Sequence, residues 1–374
     1  MNEPPSSLRA GWGFFCVSAL SWQDGQVPTF DVRANSFGFL RLMFAVLVIV
    51  SHSWPLGGFG KDPGRLDNNL GIFAVEGFFA LSGFLITMSG SRLSIGRFLW
   101  HRILRIFPAY WVSLLLVAVV FAPIIWRTMR GLTEYPFASP PPTGFIFLNA
   151  LLFQNQITIG DTLTGIPAAL MWNGPLYTLP MEFACYLLIA VLMAGRVLTA
   201  RMVAVLAAAA WGWVQLAQIG ALGVYDDRQA KFTLCFLVGS LIYFLRERLL
   251  TLKLWLPLGA LVILVVTYLT WGFHIFGIVA FAYLVLWIAY HLPFRAVGRR
   301  HDFSYGLYIY GWPVQQMAAY FGATQLGIVA YILISLAGAA VLAVASWYLI
   351  ESPALRWKSA DPMAWFRKKQ TVNA

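Results

Sequence analysis

Residues Phe37 to Leu56 form an almost unbroken apolar run that carries two ionisable groups, Arg41 and His52. A run of about 20 apolar residues at 1.5 Å per residue matches the roughly 30 Å hydrocarbon core of a bilayer. In lipid a helix satisfies its own backbone, so this segment is confined to the helical state. The eleven-residue spacing makes about three turns, which puts Arg41 and His52 on one face, about 16 Å apart along the axis. Ionisable groups at such depths are costly and are functional candidates. The structural alternatives are an arginine that snorkels to the interface and a satisfied histidine near the helix end.

The rest of the chain follows the same pattern. Of its 374 residues 60% are hydrophobic and 11% charged, whereas a soluble domain carries about 25% charged residues. The composition therefore predicts an all-α polytopic membrane protein. Ten spans can be read, at 37–56, 70–90, 106–126, 176–194, 198–221, 230–246, 254–271, 273–291, 304–321 and 326–350. If the first begins in the cytoplasm, 20 of the 26 Lys and Arg residues fall on the inside, and the positive-inside rule places both termini in the cytoplasm. The net charge of +11 then belongs to basic cytoplasmic segments rather than to a nucleic-acid surface. Cys16, Cys185 and Cys235 have no metal-ligand or redox spacing and read as small hydrophobes.

Residues 10–22 read as an interfacial helix or a tail, because the preceding stretch is barely basic and no small-residue cleavage site follows. The segment 127–175 is long, rich in proline and glycine, and contains an apolar piece, Phe145–Phe153, too short to span. It reads as a re-entrant or interfacial element roofing a cavity. The organisation expected is an N-terminal segment 1–36, a membrane domain 37–350 and a basic tail 351–374, with no internal repeat.

This topology places His52, Glu76 and Glu182 in the outer third of the bilayer, each several residues inside a span. A histidine beside carboxylates is the pattern of a general base that takes a hydroxyl proton; a structural ion cluster is the alternative. On the cytoplasmic side Arg102 and Arg105 share a helix face at i, i+3. With Arg41 they form a candidate cationic pocket for phosphates, suited to the planar guanidinium fork. Plain positive-inside bias or an anionic-lipid patch is the competing reading.

Four motifs resemble acyltransferase family 3, the ten-span bacterial inner-membrane O-acyltransferases. They are the Arg41/His52 pair, the stretch Val75-Glu76-Gly77-Phe78-Phe79-Ala80-Leu81-Ser82-Gly83-Phe84-Leu85-Ile86, the stretch Arg102-Ile-Leu-Arg105-Ile-Phe-Pro108-Ala-Tyr110-Trp111, and Asn173-Gly-Pro-Leu-Tyr177-Thr-Leu-Pro-Met-Glu182. A weaker fifth runs from Phe303 through Tyr308 to Pro313. Three positions depart from the family pattern: Glu76 where Asp is usual, Tyr177 where Trp is common, and Gly311 where many members have His. The resemblance implies transfer of an acyl group, by default acetyl, from cytoplasmic acetyl-CoA or another acyl-CoA to a hydroxyl of a glycan, glycolipid or small molecule, with no metal. Arg41, Arg102 and Arg105 would then hold the donor, and His52 would act as base or acyl relay. Glu182 or Glu76 would orient it. Asn173, Tyr177, Trp172, Ser82 and Tyr308 would line the acceptor side, where Trp54 and Trp312 are further candidates. The rival reading is a proton-coupled transporter or flippase using His52, Glu76 and Glu182. It is disfavoured by the concentration of membrane charge in the first four spans and by the absence of a repeat.

Overall fold

Ser36 fastens the start of the first helix, α1 (Phe37–Gly57), to a distant part of the chain. Its N–H donates to the Ala289 carbonyl and its hydroxyl to that of Leu292, both at 2.7 Å. The structure is a computed structural model and describes residues 35–65, 68–130, 132–169, 171–220, 227–250, 253–270 and 272–359. The expected segment at 10–22, with Arg9, Cys16, Arg33, Arg367, Lys368 and Lys369, lies outside the described residues.

Helix α1 closes at Gly58, whose φ of 74° is open to glycine without strain, and the Phe59 N–H reaches back to the Trp54 carbonyl at 2.8 Å. A two-residue ladder, β1 (Gly64–Arg65) with β2 (Asn68–Asn69), leads into α2 (Leu70–Gly90). The Asn69 side chain caps α2 by accepting the Ile72 N–H at 2.8 Å. Helix α3 (Ile95–Leu116) continues through a π-turn at 117–121 into α4 (Ala122–Met129). The continuous 35 residues are about 52 Å long, well beyond the hydrocarbon core. The span expected at 106–126 is the apolar part of this rod, which begins at Ile95.

After the short α5 (Pro142–Phe147) come α6 (Thr178–Ala194), α7 (Ala200–Gln218), α8 (Arg228–Leu249), α9 (Trp255–Leu269), α10 (Ile278–His291), α11 (Ser304–Tyr320), α12 (Ile328–Ser346) and α13 (Ser352–Arg356). Each of the ten segments read from the sequence contains a helix among the described residues. Among the described residues, seven helical stretches are long and apolar enough to cross a membrane. Helices α8, α9 and α11 are outside that set: α8 carries Lys231, Arg246 and Arg248, and the other two have 15 and 17 residues.

Helix α1 packs between α2 and α11. It runs antiparallel to α2, since Ser51 meets Gly71, Phe44 meets Gly77, and the Phe37 and Phe84 rings lie 5.2 Å apart. It runs parallel to α11, where Ile49 meets Gly311 and His52 meets Trp312. Helices α2 and α8 are also parallel, with Phe79 stacked on Phe232 and Phe84 edge-to-face with Tyr243. They touch backbone to backbone: a Cβ on Gly83 would lie 1.9 Å from the Phe236 carbonyl oxygen, and one on Gly239 2.1 Å from that of Ala80. Small residues at such crossings give dispersion contact where lipid offers no hydrophobic drive. Exposed apolar side chains line α9 (Leu258, Val262, Val265, Leu269) and α12 (Val329, Leu333, Val341, Val344), the faces that hydrocarbon would cover.

Candidate functional site

One end of the bundle gathers arginines around two acids. Arg41 on α1 donates to Asp302 Oδ2 at 2.9 Å, and Arg105 on α3 donates to the same oxygen at 2.7 Å. Arg105 also reaches Glu351 Oε2 at 3.2 Å. Glu351 is completed by Ser346, and Ser346 by Tyr310. The other Asp302 oxygen accepts from both the N–H and the hydroxyl of Ser304 at the start of α11. Burial alone would raise the Asp302 carboxyl, but Arg41, Arg105 and the Ser304 bonds override it and hold the group down at about 2. Arg102 lies one turn before Arg105, over the rings of Phe98 and Tyr186 at 5.9 and 5.8 Å. Its buried Nε has no hydrogen-bond partner, and it makes no ion pair among the described residues. Two of the three expected donor-site arginines are thus neutralised by carboxylates, and Arg102 keeps its charge uncommitted.

Eleven residues along α1, His52 packs edge-to-face on Trp312, with ring centroids 4.9 Å apart. Neither ring nitrogen has a hydrogen-bond partner among the described residues, and the side chain is partly exposed. Trp312 is itself fixed: its Nε1 donates to the Met171 carbonyl at 3.0 Å, and a Cβ on Gly174 would press on its ring at 2.8 Å. The segment 168–178 is stitched to α11. Gln316 donates to the Ala168 and Met171 carbonyls, Asn173 to Ile309, and Tyr308 to Pro175. Gln315 turns the other way and donates to Ile49 O and Ser53 Oγ of α1, both at 2.8 Å. The amide oxygens of Asn173, Gln315 and Gln316 are buried without a donor among the described residues. The described end of the 127–175 segment is thus held against α11 by Ala168, Met171 and Asn173. Beyond His52, Ser51 donates to Asp62, whose carboxyl burial raises against the opposing effect of that bond.

His52, Glu76 and Glu182 do not share one depth. Glu182 accepts from Ser82 at 3.1 Å and from Tyr186. The α1–α2 register sets Ser82 level with the start of α1, so Glu182 belongs to the arginine end, roughly 16 Å from His52. The physical reason is that α6 begins inside the bundle, where Thr178 bonds Tyr308 of α11 at 2.6 Å. Glu76 is fully buried, and neither carboxylate oxygen has a partner among the described residues. It shares a helix face with Ala80 and Gly83, the face turned to α8, and interacts electrostatically with Lys231 and Asp227. Those two form a buried i, i+4 ion pair at 2.5 Å.

The expected acceptor-side residues also separate. Trp172 is fully buried and donates to Thr162 at 3.0 Å, and Asn173 is buried, so both build the insertion rather than face open space. Tyr308 is enclosed with Pro175 and Thr178, Tyr177 lies under the Arg228 guanidinium at 5.3 Å, and Ser82 serves Glu182. A Cβ at Gly311 would meet the Ile49 side chain at 2.7 Å, so a histidine here would require Ile49 to shift. Sequence reading missed Asp302, Glu351, Gln315 and Gln316. Asp302 directly precedes the weak motif starting at Phe303, and Glu351 is the acid that ends the last apolar run; both were visible as charges without visible partners.

The model of the acyltransferase-domain family matches residues 35–349, and the chain belongs to that family. Among its relatives is the O-acetyl transferase of Shigella phage Sf6, 28% identical over 335 residues that cover 85% of this chain and 95% of the phage protein. Nodulation protein 10 of Rhizobium leguminosarum bv. viciae is 29% identical over 362 residues, 87% of this chain and 94% of that protein. No solved structure matches the chain. The protein is a polytopic membrane acyltransferase.

Proposed function

We propose that the enzyme moves an acetyl group from cytoplasmic acetyl-CoA to a hydroxyl of a glycan or glycolipid presented on the other side of a bacterial inner membrane, through ten spans with both termini in the cytoplasm. The observation that carries this reading is the construction of α1. It holds a histidine with both ring nitrogens uncommitted about 16 Å from an arginine network built at its other end. That separation suits a donor with a charged head and a long arm, held at the basic end with its thioester near His52. Arg102, which alone of the three donor-site candidates makes no ion pair among the described residues, is the first candidate for a polar group of the donor.

In the direct route a His52 nitrogen accepts the acceptor's hydroxyl proton while that oxygen forms the new C–O bond to the acetyl carbonyl carbon. The C–S bond breaks, and the departing CoA thiolate takes the proton from the imidazolium. In the relay route a His52 nitrogen attacks the thioester carbonyl carbon, the C–S bond breaks and CoA leaves as the thiol with the imidazole proton. The acceptor oxygen then attacks the acetyl-imidazole, the N–C bond breaks, and the freed imidazole takes the hydroxyl proton. Parallel double-reciprocal initial-rate lines select the relay. In either route Trp312 fixes the ring plane of His52, in the position that Glu76 and Glu182 were expected to fill. The relative named as an O-acetyl transferase supports acetyl as the group.

The test is transfer of labelled acetyl from acetyl-CoA into the glycan and lipid fractions of membranes containing the enzyme. His52→Ala is expected to lose at least about 100-fold in rate, the usual scale for a removed acid–base group, while still binding acetyl-CoA. Transfer by His52→Ala at the wild-type rate would refute the assignment.

A further inference from the structure

At the basic end a cavity of about 870 Å³ opens between the start of α1 and the turn that leads into α11. Its lining includes Gly38, Arg299, Arg300, His301, Asp302 and Phe303. We infer that this cavity holds the adenosine 3′,5′-bisphosphate end of the acyl-CoA donor. The inference rests on the donor reading above and adds a site to it.

Charge is the first argument. Arg41 and Arg105 are committed to Asp302 and Glu351, so the several negative charges of a CoA head need cations elsewhere. Arg299 and Arg300 are exposed, face the cavity, and make no ion pair among the described residues. Guanidinium forks bind phosphate oxygens two at a time. Shape and surface agree. The volume lies within the roughly 300–1,000 Å³ of small-molecule sites. The His301 ring stacks on Phe303 at 6.0 Å and 6°, and both lie near Tyr348. An aromatic wall beside arginines is what a purine with attached phosphates requires, since bases stack on aromatic faces.

The cavity is also a fixed one. Gly298 (φ 74°) and Gly38 touch backbone to backbone, with a Cβ on Gly38 2.5 Å from Val297 O. Asp302 locks the other end by bonding Ser304, Arg41 and Arg105. Because Asp302 lines the cavity and belongs to the arginine network, a head bound here leads its arm onto the helix that carries His52.

A phosphate site on this face has a second possible source, the headgroup of an anionic phospholipid, and the experiment separates the two. Affinity is measured on the full chain in nanodiscs of phosphatidylcholine alone, for acetyl-CoA, S-acetylpantetheine and adenosine 3′,5′-bisphosphate, with thermal melts to show that each variant is folded. The expected result is that Arg299→Ala with Arg300→Ala weakens acetyl-CoA at least tenfold, abolishes binding of the bisphosphate and leaves S-acetylpantetheine unchanged. If wild type binds acetyl-CoA and the double variant binds it equally well, this inference fails and the donor reading stands. If wild type binds no acetyl-CoA, the donor reading fails and takes the inference with it. If the bisphosphate does not bind, and the substitutions only lower retention of phosphatidylglycerol in mixed nanodiscs, the cavity belongs to a lipid headgroup and the inference is overturned.

Discussion

Asp302 receives two arginines on one oxygen while Ser304 occupies the other, so its removal strands Arg41 and leaves Arg105 with Glu351 alone. Asp302→Asn is expected to cost about 3 kcal/mol, the scale for breaking such a network by deleting one partner, read as a lower unfolding midpoint in detergent. The carboxyl sits at about 2 in the folded protein against 3.8 for the free group. Its stabilisation is therefore complete above about pH 4 and is lost as pH falls towards 2, a component of about 2 kcal/mol. The acid limb of stability should lose that component in Asp302→Asn. Trp312 acts at the other end, where it holds the His52 ring and is held by Met171 and Gly174. Trp312→Ala should lower kcat at least about tenfold with the KM for acetyl-CoA unchanged, while Trp312→Phe recovers much of the loss. Equal effects on kcat and donor KM would instead make Trp312 a general structural residue.

Elements meet here through small residues. The contact of α2 with α8 depends on Gly83 and Gly239, where any Cβ would fall on a backbone oxygen. Gly83→Ala is expected to destabilise by about 1–3 kcal/mol through overpacking. Gly259→Ala in α9, with open space at its Cβ, should be neutral or slightly stabilising because alanine is the better helix former. Thermal melts in detergent of the two variants compare these directly, and equal effects would contradict the packing described. The helices themselves were legible in the sequence because a bilayer leaves an apolar segment little choice but to be a helix. Which face each helix turns to its neighbours was not legible. Glu76 was expected level with His52, but α2 starts beside Ser51 and Phe44 meets Gly77, so Glu76 lies about 10 Å nearer the start of α1, on the face that the close approach of Gly83 turns to α8. Glu182 was misplaced by about three turns for another reason: the insertion before it is lodged on α11, so α6 starts inside the bundle and counting from a surface failed. Asp302 and Glu351 needed the fold, since 261 residues separate Arg41 from Asp302 and 246 separate Arg105 from Glu351.

Over the whole molecule, the groups given roles in transfer divide between two ends of one helix. The arginine network and the cavity beside it lie at the start of α1, and His52 with Trp312 lies near its finish. On the proposed roles, donor binding and proton transfer occupy different ends and should be separable by mutation. A single experiment tests that division: acetyl-CoA affinity and single-turnover acetyl transfer, measured together on wild type, His52→Ala and Arg102→Ala. The arrangement predicts that His52→Ala binds acetyl-CoA like wild type and transfers nothing measurable, whereas Arg102→Ala binds it at least about tenfold more weakly, the scale for a lost charged hydrogen bond. Unchanged affinity in Arg102→Ala together with retained transfer in His52→Ala would contradict the division and the roles assigned to both ends.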